Sequence, residues 1–393
     1  MDNINKYLKW RGDIPFSKKY KFNEVDSMIL ARFSYLPFDK INIKNNESIE
    51  KISKRMIELD DNQFIYKGDK ELITNLGNSD RFKNIRVTDF VSTNEIETQK
   101  QFGAITIHLS NKEIYVSYVG TDFSINGWKE DCNMAFMEAV PCQISGKEYL
   151  EKISSKYPDK KIRIGGHSKG GNVAIYSYIM AKTDIQKRVI KVYNYDGPGF
   201  NKYMMENVNT TKTKLNKIQT YIPQESIVGR MLKHIEKCKI VKSNEKGIFQ
   251  HDIHSWEVLK DDVVTIDNLT DTSEIINETL TQWLENITLE KRKIFVNLIF
   301  DLLYSTDTLY FEDMYKNLSI SIVKIFKSYR NIDEEDKKIF TDMLKLFIST
   351  YIETVKEKEG NKFNLKKEEY IKKGKNKIKK LDNKFLSKSN NIK

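Results

Sequence analysis

The sequence predicts an α/β architecture: a mostly parallel sheet flanked by helices, followed by a helical C-terminal extension. Three observations carry this. Between residues 102 and 251, short β-rich runs alternate with helix-period segments, the pattern of a sheet with helices on both faces. At 165–171 a glycine-rich turn joins a β run directly to a helical run. From about residue 261 the periodicity becomes helical throughout.

Taken in order, residues 1–100 mix polar stretches with apolar-periodic ones. Val25, Met28, Ile29 and Phe33 recur at helical spacing, so a helix is expected around 24–35, ended by the Pro37 turn. The runs Phe102–Leu109 and Glu113–Val119, joined by Ser110-Asn111-Lys112, read as a hairpin. Residues 146–156 read as an amphipathic helix. The β run Lys161–Gly165 then feeds Gly166-His167-Ser168-Lys169-Gly170-Gly171 and the helical run Asn172–Lys182. Further β runs are expected at Val189–Tyr195, Lys217–Ile222, Lys239–Lys242 and Ile248–His251. Helices are expected around Ile275–Leu284, Ile294–Leu303 and Phe340–Ile352. The organisation that follows is a main domain over 1–260, with its mixed segment 1–100, a helical region over 261–360, and a lysine-rich tail over 361–393.

Composition narrows the function classes. With 39% hydrophobic residues among 393, the chain can bury a large core. The net charge is +11, and residues 361–393 supply +9 of it through twelve lysines against Glu368, Glu369 and Asp382. The basic character therefore belongs to the tail. It lacks the aromatic interleaving of a nucleic-acid binder, and no nucleic acid is expected as partner. Ile378, Leu381 and Phe385 would give a short helix over 375–388 an apolar face ringed by lysines. Such a segment suits an anionic membrane surface, although a solvated tail is the plainer reading. Three cysteines, Cys132, Cys142 and Cys238, are too few for a disulfide framework, and no C-x-x-C pair suggests zinc. Neither a metal nor another cofactor is expected. The N-terminus lacks a signal-type apolar run and no stretch is long enough to span a bilayer, so a cytoplasmic chain, peripheral to a membrane at most, is expected.

The segment at 166–170 is G-x-S-x-G. A serine between a strand and a helix sits on a sharp, strained turn, and glycines two residues either side let the strand and helix approach. The turn lifts the hydroxyl above the sheet, and the helix N-terminus behind it favours a developing oxyanion. This is the nucleophile elbow of the α/β-hydrolase fold, with Ser168 as nucleophile.

Serine needs a base, itself held by an acid. Of the five histidines, His108 precedes the elbow, on the wrong side of the usual Ser…acid…His order. His167 lies inside the elbow, and His234 reads as helix surface. His251 and His254 both follow the last β run, and His251, at its end, is the better base; His254 reads as a loop histidine bonded locally. Two carboxylates lie between nucleophile and base. Asp196 ends a β run and enters Gly197-Pro198-Gly199, and Glu225 follows the next β run. Both positions are topologically usable.

At these residues the chain resembles known families. Gly166-His167-Ser168-Lys169-Gly170-Gly171 is similar to the G-H-S-L-G-G elbow of class 3 (fungal-type) lipases, and Val119-Gly120-Thr121-Asp122, followed by Trp128, looks like their R-G-T oxyanion segment. From Tyr7 to Glu257 the chain resembles more closely a bacterial family of uncharacterised lipase-like α/β-hydrolases. The matching pieces are Asn23-Glu24-Val25-Asp26, Asp196-Gly197-Pro198-Gly199-Phe200, Ser226-Ile227-Val228-Gly229 and Gln250-His251-Asp252 with Ser255-Trp256. The resemblance implies a Ser168 nucleophile, a His251 base and an oxyanion hole from the backbone N–H groups of Thr121 and Lys169. The Asp-Gly-Pro at 196 looks like the acid position of pancreatic-type lipases, whereas the class 3 pattern points to Glu225; Asp196 is taken first and Glu225 as the alternative. Val119 stands where those lipases carry arginine, and Lys169, in place of leucine, puts a charge near the pocket.

The expected function is a serine hydrolase acting on an acyl ester or lipid, lipase- or esterase-like, through an acyl-enzyme. The alternative is a binding or scaffold protein on a hydrolase fold.

Overall fold

The computed structural model describes residues 3–207 and 211–360. The expected tail and its helix over 375–388 lie outside these residues.

The strands, in chain order, are β1 (Glu47–Ser48), β2 (Arg86–Glu95), β3 (Lys100–Ser110), β4 (Glu113–Tyr118), β5 (Lys161–His167), β6 (Val189–Tyr195), β7 (Ile218–Pro223), β8 (Cys238–Val241), β9 (Val258–Leu259), β10 (Asp262–Val263) and β11 (Thr265–Ile266). Nine form one sheet in the order β1-β2-β3-β4-β5-β6-β7-β8-β11, while β9 and β10 pair separately. Pairing is parallel from β4 through β8 and antiparallel at both margins. The expected hairpin is β3–β4.

Alternation along the strands divides the core into two layers. Ile114, Val116, Ile164 and Val192 face the helices Pro141–Lys156 and Lys169–Met180. Tyr115, Tyr193, Tyr195 and Tyr221 face the other way, into a layer built by the helices Ile4–Arg11, Glu24–Phe33, Ile49–Met56 and Asp69–Asn78. The sheet is therefore covered on both faces, as an α/β-hydrolase fold requires.

The Asn23-Glu24-Val25-Asp26 motif has a structural purpose. It is a capping box: the Asp26 N–H donates to the Asn23 side chain and the Asn23 N–H to Asp26, each at 2.9 Å. Asp26 is buried, and its carboxylate takes charge-assisted bonds from Arg81 and a bond from the Tyr7 hydroxyl at 2.8 Å. The cap thus ties the first helices to one buried ion pair.

After β11 the chain is helical: Asp271–Glu285, Leu289–Tyr304, Phe311–Lys316, Leu318–Asn331 and 334–360. Thr270 and Thr288 cap the first two. Val296 and Phe300 pack on Ile125 of the helix Ile125–Asn133, and Ile287, Phe295 and Met343 form a second small cluster. Among the described residues, no helix is long and apolar enough to cross a membrane.

Two local expectations are corrected. Ile248–His251 is not a strand; Gly247–His251 is a 3₁₀ turn. Its apolar pair, Ile248 and Phe249, is 49% and 72% exposed, so the run marks no buried strand. His234 is not on a helix. It lies in a bent loop segment before β8, half-buried, with both ring nitrogens bonded.

Candidate active site

β5 ends at His167, and the next residue, Ser168, turns the chain into the helix Lys169–Met180. Its backbone is strained, at φ 57° and ψ −135°, a region L-residues rarely enter. The turn is held by Ser168 N–H donating to Tyr195 O at 2.9 Å and Gly171 N–H donating to Ser168 O at 2.9 Å. The flanking glycines are required by contact: a Cβ on Gly166 would lie 2.3 Å from Gly170 C, and one on Gly170 would lie 2.3 Å from Tyr118 O.

Asp196 follows β6 directly, itself at φ 52°. Its N–H donates to Tyr221 O at 2.8 Å, and Asn172 Nδ2 fastens the following turn through Pro198 O and Gly199 O at 3.1 and 2.8 Å. The buried carboxylate receives the Ser226 hydroxyl at 2.5 Å and the Gly229 N–H at 3.1 Å, both on Oδ1. Both donors come from the Ser226-Ile227-Val228-Gly229 segment. On Oδ2 it receives His251 Nδ1 at 2.6 Å. With Nδ1 committed to a carboxylate, Nε2 is the His251 nitrogen left to take a proton.

The His251 loop is fastened from several sides. Trp256 is buried and donates from Nε1 to Gln250 O at 2.8 Å; Gln250 Oε1 accepts from Glu225 N–H at 2.9 Å. His167 lies under His251, ring centroids 4.5 Å apart, and its Nε2 donates to His251 O at 2.7 Å. Burial, reinforced by the neighbouring His251 and Arg32, pushes the His167 pKa far below its ordinary value, so the ring is neutral. His167 thus joins the elbow to the His251 loop.

Glu225 takes another part. It does not bond His251; its carboxylate accepts the Gly247 N–H and so holds the start of the turn that carries His251. The structure therefore brings Asp196, not Glu225, to His251.

The loop that carries Thr121 packs against the elbow: a Cβ on Gly120 would lie 2.5 Å from His167 O. Thr121 donates from Oγ1 to Asp131 Oδ2 at 2.5 Å, and burial lifts the Asp131 carboxyl to about 6 against the pull of Lys169. Lys169 N–H is the first of the helix and has no intrahelical acceptor. The Lys169 charge is not left open. Its side chain is buried, with Nζ donating to Glu130 Oε2 at 2.9 Å and Gln101 O at 3.1 Å. Burial opposes that charge, but Glu130 and then Asp131 outweigh it and raise the Lys169 pKa. The ammonium is neutralised inside the protein.

Sequence reasoning missed two groups. Tyr35 donates from its hydroxyl to His167 O at 2.9 Å and has the Ser168 hydroxyl among its hydrogen-bonding neighbours. The His254 ring is not bonded locally: its Nε2 meets Asp69 Oδ1 at 2.9 Å, across 185 residues of sequence. No local signal marks either. A cavity of about 300 Å³ beside the β2 bulge, lined by Ile43, Asp89, Phe90 and Lys152, contains none of the site residues.

Several solved structures are similar to this chain. A fungal lipase–inhibitor complex matches at 14% identity with a TM-score of 0.36, covering 55% of this chain and 77% of that one. Lipase II from Rhizopus niveus matches at 11% identity and 0.34, covering 55% and 77%. A crystal structure of fungal lipases matches at 15% identity and 0.35, covering 68% and 90%. No curated protein matches the sequence. The chain's own sheet and elbow carry the fold assignment, and the sequence supplies the lineage: the Mbeg1-like family matches residues 76–301, over half of the chain, and the protein belongs to that lipase-like family.

Proposed function

We propose that this lipase-like protein is a serine hydrolase that cleaves an acyl ester, a lipid ester among its candidate substrates. The observation that carries the reading is the 2.6 Å bond from His251 Nδ1 to buried Asp196, in a loop fastened to the strained Ser168 elbow through His167.

In this reading the Ser168 hydroxyl attacks the ester carbonyl while His251 Nε2 takes its proton. Asp196 holds the ring with Nε2 unprotonated and stabilises the imidazolium that forms. The backbone N–H groups of Thr121 and Lys169 receive the oxyanion, the second at a helix N-terminus. His251 then protonates the departing alcohol, and water, activated by the same ring, releases the acid from Ser168. The Lys169 ammonium is paired with Glu130 in the interior, so no unpaired cation is set beside an uncharged ester.

The test uses the purified chain with a serine-directed fluorophosphonate, together with a chain-length series of p-nitrophenyl esters. Labelling and turnover are expected. Absence of labelling, where a control hydrolase labels, would favour a binding or scaffold protein instead.

A further inference from the structure

A second constellation lies one loop away from the site, in the segment before β8. Phe200 and Lys233 exchange backbone bonds at 2.8 and 3.0 Å, pinning the chain to the Gly197-Pro198-Gly199 turn. From there it bends at Ile235 and Glu236 before entering β8 at Cys238. The bend gathers His234, Glu236 and Cys238, and a ring nitrogen, a carboxylate oxygen and the sulfur lie within 4.8 Å of one another.

Two details point to a ligand. The Glu236 side chain is only 2% exposed, and its Oε2 is buried without a hydrogen-bond partner among the described residues, while Oε1 takes the Thr220 hydroxyl. Leaving such an oxygen bare in the interior is costly. His234 Nε2 donates to Gly229 O at 2.7 Å, which fixes the other nitrogen, Nδ1, toward Glu236 at 2.9 Å. A ring N–H given to a backbone carbonyl is how a metal-ligating histidine is oriented.

We infer that His234, Glu236 and Cys238 form a site for a zinc-class divalent ion. The donor set is one imidazole, one carboxylate and one thiolate, the mixture that suits this borderline ion, with a fourth position left for water. Metal–ligand bonds of about 2.0–2.3 Å place tetrahedral ligands roughly 3.5 Å apart. Closing the present spacing takes side-chain rotation. Binding releases the Cys238 thiol proton and the proton shared between His234 and Glu236. The spacing H-x-E-x-C escapes a search for paired C-x-x-C motifs because all three ligands come from one short segment. The ion would also brace Gly229, whose N–H serves Asp196.

The experiment takes the full chain, stripped of metal with a chelator, and titrates it with Co²⁺. One ion per chain is expected, with the strong visible bands of tetrahedral cobalt and a thiolate charge-transfer band, all displaced by Zn²⁺. Cys238→Ser should lose the charge-transfer band and bind Zn²⁺ about tenfold or more weakly, whereas Cys132→Ser should keep both. A readout without variants is alkylation of Cys238 followed by peptide mass, which Zn²⁺ should slow about tenfold or more. No Co²⁺ uptake above the buffer control, a charge-transfer band surviving in Cys238→Ser, or alkylation of Cys238 indifferent to Zn²⁺ would each overturn the site.

Discussion

Two histidines three residues apart each meet a buried aspartate, and the two pairs are built for different ends. His254 Nε2 bonds Asp69 Oδ1 at 2.9 Å, but Asp69 already has its own cation. Arg32 donates from Nε at 2.7 Å and from Nη2 at 2.5 Å, and the Tyr66 N–H adds a bond at 3.1 Å. Burial alone would raise the Asp69 pKa; Arg32, followed by His254, reverses this and holds it below its ordinary value. Asp196, in contrast, receives a hydroxyl and a backbone N–H, both neutral, besides His251. A carboxylate satisfied by a fixed guanidinium makes its histidine a strut. One met by neutral donors leaves its histidine as the group it can pair with, which the proposed triad would require.

The sharpest way to break this contrast is to exchange a carboxylate for an amide in each pair. Asp196→Asn is expected to lower kcat on a model ester by about 10⁴-fold, roughly 5.5 kcal/mol in barrier, with little loss of stability. Ser168→Ala should abolish that activity and leave the melting temperature unchanged or higher, because elbow strain and stability trade against each other. Asp69→Asn should do the reverse: ester turnover per folded molecule largely kept, stability reduced by about 3–5 kcal/mol as Arg32 is left buried without its counter-charge. Steady-state kinetics beside urea melts separates the two. A larger rate loss at Asp69 than at Asp196 would exchange the assignments.

A smaller effect bears on the second carboxylate. Glu225→Gln keeps an oxygen that can accept the Gly247 N–H, so kcat should fall by about tenfold or less. A loss matching that of Asp196→Asn would transfer the acid role to Glu225, the class 3 arrangement.

These assignments show what was readable in the chain. The elbow was legible because its causes are local: a β run, two glycines about a serine, and a helical run follow one another directly. The hairpin β3–β4 and the strand that leads into Asp196 were legible for the same reason. The choice between Asp196 and Glu225 was not, since both follow parallel strands; the donors Ser226 and Gly229, supplied from the next loop, distinguish them only in space. That the Lys169 charge is paired was not legible, because its partner Glu130 lies 39 residues away on another helix. His254 looked local because Asp69 is 185 residues distant. The Ile248–Phe249 run looked like a strand because apolar character does not report whether a turn leaves it exposed.

A third histidine sharpens the contrast from the opposite direction, with the smallest effect. His108 has a lysine where the other two have an aspartate: Lys160 Nζ donates to its Nδ1 at 3.0 Å, and Thr88 Oγ1 meets its Nε2 at 3.0 Å. Burial lowers its pKa from 6.5 to about 4, with Lys160 adding to the fall and Asp89 opposing it. The folded chain therefore holds this ring neutral where the unfolded chain protonates it. Between pH 6.5 and about 4 the unfolded state binds more protons, so stability rises with pH across that window and is lost as pH falls through it. His108→Gln keeps a neutral polar group and removes the titration. Urea melts from pH 7 to about 4 should show a shallower acid-side decline for the variant than for the parent chain. Parallel declines would mean that His108 is protonated in the folded chain as readily as in the unfolded one, and that a lysine neighbour does not keep a histidine neutral here.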